Sequence, residues 1–303
     1  MRELVVLGTA SQVPTRYRNH NGYLLRWDGE GILFDPGEGT QRQFTFAGVS
    51  PAEVTRICIT HFHGDHCLGL PGMILRLALD EGRLPVPVHY PATGEPYFRR
   101  LQLASAGQEH VPVDGHPASG GDVVHRDGRF SLRCVALEHR IDTLGWRLEE
   151  PDGRRMLPDR LAALGIVGPD VGRLQAAGRL ELGDRAVSLE EVSEPRRGQK
   201  VAIVMDTAWC DGALELADRA DLLVCEATFL STEEHLAREY GHLTARQAGR
   251  LAATAGARRL VLSHFSRRYD DVAPFAAEAR ESFDDVVLAR DLDRIALPAR
   301  RSA

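Results

Sequence analysis

One short stretch, the residues HFHGDH at positions 61–66, constrains this chain more than any other. It places three imidazoles and a carboxylate within six residues, and only Thr60 separates it from the largely apolar run 56–59, so the stretch lies where a buried strand gives way to a loop. Imidazole and carboxylate groups bind zinc, manganese or iron, and a set without thiolates is typical of a catalytic site with an open coordination position. We therefore predict a metal site here rather than a histidine-rich solvated loop.

The spacing within this stretch predicts two metal ions rather than one. His61 and His63 are two residues apart and can reach one ion from an extended turn. Gly64 lets the chain fold back, so that Asp65 and His66 face a second ion close by.

Single residues of metal-ligand type also follow apolar strand patterns later in the chain. His139, Asp206 and His264 each come directly after such a pattern, and so does Glu226. If these strands lie in stacked sheets with their C-terminal ends at one edge, His139, Asp206 and His264 converge on the 61–66 stretch and complete two coordination shells.

Length and composition limit the class of protein. A chain of 303 residues can form one large α/β domain or two smaller ones. The formal net charge of −6 does not indicate a face that binds nucleic acid over its whole extent, so any polyanion must be bound locally. Five cysteines without a C-x-x-C pair indicate reduced thiols. With no signal-peptide pattern and no apolar run of membrane-spanning length, we expect a cytoplasmic protein that does not contact membranes.

Strand patterns near the N-terminus, at residues 3–7, 23–27 and 31–35, predict a meander in one sheet. The polar loop 8–19 carries two arginines and several hydroxyls that could bind phosphates, although a solvated loop has a similar composition. Residues 107–122 are rich in turn formers and are predicted to be loop.

Helical patterns follow the metal stretch and recur near the C-terminus. We predict a helix over residues 68–79, interrupted near Pro71, and another over residues 231–240. Ser231 with Glu234 is predicted to form a capping box for the second of these, and Thr244 with Gln247 marks the start of a further helix.

Residues 151–200 interrupt the alternation of strands and ligand residues. The segment is rich in glycine and proline and separates two strands that would otherwise be linked directly. It holds nine Lys/Arg against eight Asp/Glu. These features predict an inserted arm with a weak electrostatic field.

Several stretches of the chain resemble the ribonuclease Z family, the tRNA 3′-processing endonucleases of the metallo-β-lactamase superfamily. HFHGDH alone is common to the superfamily, whereas CEAT at 225–228, GHLT at 241–244 and SHFSRRY at 263–269, in this order, point to the tRNA enzymes. Two further similar stretches are GTASQVPTRYRN at 8–19 and FDPGEGTQRQF at 34–44. The resemblance covers nearly the whole chain and implies an α/β metallo-β-lactamase fold, a four-layer αββα sandwich that forms a single domain over residues 1–303 with a flexible inserted arm.

The same resemblance implies the cofactors and partners. Two zinc ions per subunit are expected, with manganese or another divalent ion as an alternative. One ion would be held by His61, His63 and His139, the other by Asp65, His66 and His264, with Asp206 bridging them. The arm at 151–200 would be an exosite that grips precursor tRNA away from the active site, and the protein would be a homodimer. Two departures from the family pattern are Pro36, where relatives often have cysteine, and an arm with few lysines.

The resemblance also implies a reaction. A metal-bridged hydroxide would attack the phosphodiester and remove the 3′ trailer from precursor tRNA, leaving a 3′-hydroxyl on the tRNA. Asp65 would orient or deprotonate the water, and His242 would protonate the departing oxygen, with its ring oriented by Glu226. Arg268 would stabilise the phosphoryl oxygens.

Two other functions remain open at this point. A hydrolase of the same fold that acts on small phosphodiesters, sulfate esters or thioesters would need the metal residues but neither the arm nor His242. A non-catalytic RNA-binding scaffold that retained a zinc site is also conceivable, but no metal ligand or proton donor is missing from the sequence.

Overall fold

The structure is a computed structural model that describes residues 2–80, 82, 84–183 and 185–300. The chain divides into two compact units. The first comprises Met1–Leu148 and Lys200–Pro298, and the second comprises Glu149–Gln199 and Ala299–Ala303.

The regular elements are numbered along the chain. The strands are β1 (Arg2–Gly8), β2 (Gly22–Trp27), β3 (Glu30–Phe34), β4 (Arg56–Cys58), β5 (Val86–Pro91), β6 (Val113–Ala118), β7 (Val123–Arg126), β8 (Ser131–Leu137), β9 (Thr143–Glu149), β10 (Gly153–Met156), β11 (Arg179–Leu182), β12 (Arg185–Ser188), β13 (Ser193–Arg196), β14 (Lys200–Val204), β15 (Leu222–Glu226), β16 (Leu260–Ser263), β17 (Val286–Leu288) and β18 (Arg294–Ala296). The α-helices are α1 (Thr40–Ala47), α2 (Gly64–Cys67), α3 (Leu70–Leu79), α4 (Glu95–Gln102), α5 (Pro158–Ala163), α6 (Pro169–Ala177), α7 (Asp211–Ala217), α8 (Glu234–Tyr240), α9 (Ala245–Thr254) and α10 (Ala273–Arg280).

The first unit is built on two seven-stranded sheets. Their strand orders are β18-β1-β2-β3-β4-β5-β6 and β17-β16-β15-β14-β9-β8-β7. Strands β1 to β3 form the predicted antiparallel meander. Strands β3 to β6 and β14 to β17 pair in parallel, so within each set the C-terminal ends meet at one edge.

Alternation along the strands produces the layers. In β15, Leu222 and Val224 belong to the core between the two sheets, whereas Leu223 and Cys225 pack on the helical side, as the two-residue period of a strand requires. Helices α1, α3 and α4 cover the outer face of one sheet, and α7, α9 and α10 cover that of the other. The layers run helix, sheet, sheet, helix, which confirms the predicted αββα sandwich.

Two predictions of local structure are wrong. Helix α3 is not interrupted, because Pro71 lies in its first turn, where no intrahelical N–H donor is needed. Residues 107–122 contain strand β6, which pairs in parallel with β5 and places His116 opposite His89. Residues 113–118 form a strand because they pair with β5 at the edge of the sheet, and this pairing outweighs their turn-forming composition.

The two predicted capping boxes have different outcomes. Thr244 and Gln247 form the predicted box at the start of α9. Ser231 forms no box with Glu234, because its hydroxyl donates to Glu278 Oε1 at 2.6 Å and a 3₁₀ turn precedes α8.

The second unit has a small core of its own. Strand β10 pairs with β13, and β11 pairs with β12. The buried apolar side chains come from α5, α6, β12 and two connecting segments. These buried residues are Leu161, Ile166, Leu174, Val187 and Val192. The predicted arm, residues 151–200, covers nearly the same stretch, although Asp184 lies outside the described residues; its role as an arm stays a prediction.

The charges of the second unit are neutralised locally. Arg155 lies 2.8 Å from Glu194, and Arg185 lies 2.8 Å from Glu191. Arg179 with Glu181 and Arg173 with Asp170 make similar pairs at 2.9 and 3.1 Å. Among the described residues of the whole chain, every helix is too short or too polar to span a bilayer.

Candidate metal centre

The structure brings together all seven residues predicted as metal ligands. Their ligand atoms form two groups in which every atom lies within 4.8 Å of the others. The first group is His61, His63, His139 and Asp206, and the second is Asp65, His66 and His264. His242 also lies close enough to Asp206 and His264 to be a ligand.

The first group surrounds one point. His63 Nδ1 lies 2.9 Å from His61 Nε2 and 3.3 Å from His139 Nε2. Asp206 Oδ2 lies 3.5 Å from the same His61 atom and 3.8 Å from that of His139.

The second group shares Asp206 with the first. The Nε2 atoms of His66 and His264 are 3.1 Å apart, and Asp65 Oδ2 lies 3.4 Å from each. Asp206 Oδ1 lies 3.3 Å from His66 Nε2 and 3.1 Å from His264 Nε2. Because Oδ1 faces one group and Oδ2 the other, this carboxylate is in position to bridge two ions.

Sharp turns at strand ends aim these side chains. Asp206 and His264 follow β14 and β16 and have φ angles of 24° and 62°. Asp35, which follows β3, has a φ of 46°. Residues other than glycine rarely adopt a positive φ, because this backbone conformation is strained. Such strain is concentrated at functional sites.

Hydrogen bonds fix which ring nitrogen faces the centre. In four of the histidines Nδ1 is held by an acceptor at 2.8 to 3.0 Å, which leaves Nε2 directed at the ligand groups. The pairs are His61 with Thr60 Oγ1, His66 with Asp35 Oδ2, His139 with the Gly241 carbonyl and His264 with Thr228 Oγ1. Metal-binding histidines are commonly oriented by such partners.

This donor set fits divalent cations. The Nε2 atoms of His66 and His264 face each other across 3.1 Å, and carboxylate oxygens of Asp65 and Asp206 lie beside them. Asp206 Oδ1 is buried and has no hydrogen-bond partner in the described part of the chain. A divalent cation between these atoms would bind both nitrogens and satisfy the buried oxygen, so the residues present fit a metal site.

Burial and neighbouring carboxylates shift the pKa values of the candidate ligands in different directions. Burial lowers the pKa of His66, but the carboxylates of Asp206, Asp65 and Asp35 outweigh it and raise the pKa well above its usual range. Burial lowers the pKa values of His61, His63 and His139, which keeps these imidazoles in the neutral form that binds metals. Burial alone would raise the pKa of Asp206, but the imidazoles of His264 and its neighbours outweigh this and hold it well below its usual range.

His242 and Glu226 form a pair beside the ligand groups. His242 Nδ1 lies 2.9 Å from Glu226 Oε1, which also accepts a hydrogen bond from the Thr207 N–H at 2.7 Å. Burial lowers the pKa of His242, but the carboxylates of Glu226 and Asp206 outweigh it and raise the pKa to about 9. These carboxylates favour the protonated form of His242, and with Nδ1 bound to Glu226, its Nε2 is the nitrogen that can donate to a substrate.

The centre opens into a cavity of about 570 Å³ that is lined by members of both ligand groups and by His242. Arg140, Arg267 and Arg268 also line it, and all three are exposed. Within the described residues their guanidinium groups form no hydrogen bond or ion pair.

The loop 8–19 contributes to this cavity differently from the prediction. Its residues 11–13 line the cavity. The Arg18 guanidinium donates to the carbonyls of Ser266 and Tyr269, at 3.3 and 2.7 Å, so it ties two loops together and is not available to a phosphate. Arg16 is exposed.

Sequence reasoning missed the partners that orient the histidines, namely Asp35, Thr60, Thr228 and Gly241. Asp35 had a usable signal, since it also follows an apolar strand. The two threonines had none, because a hydroxyl after a strand is common and only its distance from an imidazole identifies its role.

Comparison with known proteins agrees with this geometry. Sequence models of the Metallo-beta-lactamase superfamily and of the Beta-lactamase superfamily domain match residues 15–153 and 191–265. The chain is 59% identical over 302 residues to the "Ribonuclease Z" of Nocardia farcinica, with 99% of each chain covered. The chain belongs to the ribonuclease Z family. It is also 55% identical to the ribonuclease Z of Streptomyces coelicolor and 44% identical to that of Chlamydia trachomatis, again over 99% of each chain.

Solved structures of ribonuclease Z share the fold. Human tRNase Z, short form, has a TM-score of 0.70 and 26% identity, over 98% of this chain and 100% of that one. A long form RNase Z from yeast has a TM-score of 0.69 at 17% identity, over 97% of this chain and 42% of that one, which shows likeness of fold alone. As a member of this family, the chain is a metal-dependent endoribonuclease of the metallo-β-lactamase superfamily. Its family membership argues against a non-catalytic scaffold.

Proposed function

We propose that this protein removes the 3′ trailer from precursor tRNA and leaves a 3′-hydroxyl on the tRNA, using two zinc ions per subunit or another divalent ion such as manganese. The observation that carries the proposal is the His242–Glu226 pair, held at 2.9 Å beside the ligand groups. A ribose 3′-oxygen is a poor leaving group and needs a proton as it departs, whereas a hydrolase of small activated esters does not need such a donor.

In this proposal His61, His63 and His139 would hold one ion, Asp65, His66 and His264 would hold the other, and Asp206 would contribute to both sites. Ions bound in these two sites would lower the pKa of water and offset negative charge on the scissile phosphate. The carboxylate of Asp65, which lines the cavity, accepts a hydrogen bond from the attacking water and orients it.

The remaining roles belong to side chains around the cavity. His242 donates its Nε2 proton to the departing 3′-oxygen and keeps its Nδ1 proton in the hydrogen bond to Glu226, so the glutamate holds the ring in one orientation throughout. Arg268, exposed at the cavity wall, provides N–H donors for the non-bridging phosphate oxygens.

We also propose that residues 151–200, nearly all of which belong to the second unit, form the tRNA-binding arm and that the protein acts as a homodimer in the cytoplasm, where precursor tRNA is its substrate. The arm proposal is supported by the independent core of this unit, which allows it to act as a separate module. Molecular mass in solution tests the dimer.

Cleavage of an end-labelled precursor tRNA tests the proposed function. We expect a single cut at the start of the trailer, a 3′-hydroxyl on the tRNA product, loss of cleavage with a chelator, recovery with zinc or manganese, and two ions per chain by metal analysis. Hydrolysis of small phosphodiesters without cleavage of any precursor would instead identify the rival small-ester hydrolase.

A further inference from the structure

One wall of the cavity has aromatic and cationic side chains that the proposed chemistry does not use. Phe229, Tyr240 and Arg140 line the same cavity as His139 and His242. The rings of Phe229 and Tyr240 lie with centroids 6.5 Å apart and planes inclined by 26°. The Arg140 guanidinium carbon lies 5.8 Å from the centroid of the Tyr240 ring.

The backbone holds this wall in a fixed place beside the reacting groups. Arg140 directly follows the candidate ligand His139, and Tyr240 is the last residue of α8, two residues before His242. Gly241, between the two, has a φ of 71° in the left-handed region and accepts the His139 Nδ1 hydrogen bond on its carbonyl at 2.8 Å. A ligand that contacts Tyr240 is therefore held in a fixed position relative to both His139 and His242.

The polar ends of two side chains on this wall are not hydrogen-bonded to the part of the protein that the structure describes. Tyr240 is half-buried and Arg140 is exposed, and within the described residues neither the phenol hydroxyl nor the guanidinium forms a hydrogen bond or ion pair. Other arginines of the same unit do have such partners: Arg246 lies 2.9 Å from Glu281, for example. An aromatic ring with a neighbouring free guanidinium, at the mouth of a polyanion site, is the arrangement on which nucleobases stack.

The position of the wall indicates which nucleotide it receives. The ring centroids of Phe229 and His242 are 6.0 Å apart, so the proton donor and the aromatic wall are neighbours. If His242 protonates the departing 3′-oxygen, then the nucleotide that carries this oxygen lies next to His242, and its base lies beside Phe229 and Tyr240.

We propose that Tyr240 and Arg140 form a stacking subsite for the nucleobase on the 5′ side of the scissile phosphate, the last base retained by the tRNA product. The proposal rests on the proposed function, because it uses His242 as the group that meets the leaving oxygen. Every base has a flat π face, so the subsite accepts all four bases and favours purines, whose stacking area is larger.

The test compares two precursor RNAs that differ only at this nucleotide, which is either intact or an abasic ribose. For the wild type we expect kcat/KM to be higher on the intact precursor than on the abasic one, mainly because KM is lower. This ratio is the gain from the base. Tyr240→Ala should lose roughly tenfold to a hundredfold on the intact precursor, the range typical of one stacked base, and should equal the wild type on the abasic precursor. Tyr240→Phe, which keeps the ring, should retain the gain from the base.

Two further variants make the result specific. Arg140→Ala should reduce the gain from the base more than Arg140→Lys, because lysine keeps the charge but loses the planar group. Phe46, an exposed aromatic with the Arg42 guanidinium 4.4 Å from its ring centroid, does not line the cavity, so Phe46→Ala should leave the gain unaltered.

Three results would contradict the subsite. Tyr240→Ala with full metal content could keep the whole gain from the base, or it could lose equal kcat/KM on both precursors. The third is a gain that depends on the base on the 3′ side of the scissile phosphate. Should Tyr240→Ala fail to fold, the exposed Arg140 variants carry the same comparison. Failure of the wild type to cleave either precursor would instead contradict the proposed function, so the two failures are distinguishable.

Discussion

Thr60 and Thr228, which follow β4 in one sheet and β15 in the other, make the same pair of contacts. The Thr60 hydroxyl lies 2.8 Å from Asp35 Oδ2 and 3.0 Å from His61 Nδ1. A carboxylate only accepts, so the hydroxyl donates to it and accepts from the imidazole.

Thr228 repeats this pattern with Glu226 at 2.6 Å and His264 Nδ1 at 2.9 Å. Each carboxylate also binds a second histidine directly, since Asp35 holds His66 and Glu226 holds His242. Four imidazoles are therefore oriented by two acids and two hydroxyls.

Thr228→Val is expected to weaken metal binding at the Asp65–His66–His264 group by about tenfold to a hundredfold, the range found when such an orienting partner is removed. Valine matches the shape of threonine but leaves Glu226 Oε2 and His264 Nδ1 without the hydroxyl. Thr228→Ser keeps the hydroxyl and should keep the affinity. Chelator competition measures both, and equal affinities for the two variants would show that the hydroxyl does not orient His264.

His242→Ala is expected to reduce cleavage of precursor tRNA by roughly a hundredfold to ten-thousandfold while metal content stays unchanged, because the residue is assigned a proton and not an ion. The defect should shrink on a nitrophenyl phosphodiester, whose leaving group needs no proton. An equal loss on both substrates would remove His242 from the role of acid. In the wild type, turnover of precursor tRNA should fall as the pH rises through the raised pKa of His242, since the acid form is lost.

Arg268→Ala is expected to lower the single-turnover rate more than Arg267→Ala. Both guanidiniums are exposed at the cavity wall, so the second variant is a matched control for the loss of one positive charge there. A charge-assisted hydrogen bond contributes about 1.5–3 kcal/mol, which corresponds to a loss of roughly tenfold or more. A larger loss of rate in Arg267→Ala than in Arg268→Ala would show that Arg267, and not Arg268, contacts the phosphate.

Deleting most of the arm is expected to raise KM for precursor tRNA and to spare hydrolysis of a small phosphodiester. Leu157 N donates to the Val192 carbonyl at 2.8 Å, and Met156 pairs with Ser193, so a short Gly/Ser linker can replace residues 157–192 and retain the base of the hairpin. Metal content should not change, because the ligand residues lie outside the deletion.

The salt dependence of binding adds a quantitative test of the arm. Each phosphate contact contributes a slope of about −0.7 to −0.9 to the plot of log affinity against log salt. Since most arm arginines are already paired with arm carboxylates, the deletion should reduce the magnitude of the slope by at most about two or three units. Unchanged tRNA affinity at the same salt would contradict the exosite.

His89 is expected to make the fold sensitive to acid. It is buried between the sheets, both of its ring nitrogens have no hydrogen-bond partner in the described part of the chain, and burial lowers its pKa to about 3. Below about pH 6.5 His89 is protonated in the unfolded chain but stays neutral in the folded chain. The free energy of unfolding therefore falls as the pH falls, by about 1.4 kcal/mol per pH unit.

His89→Leu should remove this dependence. We expect its free energy of unfolding, relative to the wild type, to rise by roughly 2 kcal/mol between pH 7 and pH 5. Urea unfolding of the metal-free proteins measures this, and the exposed His235→Leu controls for the loss of one imidazole. A parallel pH dependence for His89→Leu and the wild type would contradict the prediction.

Strand patterns and residue types alone predicted the sheets and the set of residues that meets at the metal centre. Leu222 to Cys225 alternate between the two faces of β15 whatever lies on either side, because the two-residue period is a property of the strand. Asp206 and His264 arrive at one edge because parallel strands end on the same side. At Ser231 the prediction was wrong because a distant contact decided the outcome: its hydroxyl bonds to Glu278 rather than capping its own helix.

The sequence by itself determined the family, the αββα layers and the identity of the seven candidate ligands, because motif, period and strand end are local properties of the chain. Only the tertiary structure decided the direction of the Thr228 proton, the use of Arg18 as a clamp on the Ser266 and Tyr269 carbonyls, and the wall of Tyr240 and Arg140. These depend on distances between residues far apart in sequence. A hydroxyl or a guanidinium acquires its role from the atom that lies within hydrogen-bond reach, and no local pattern specifies that atom.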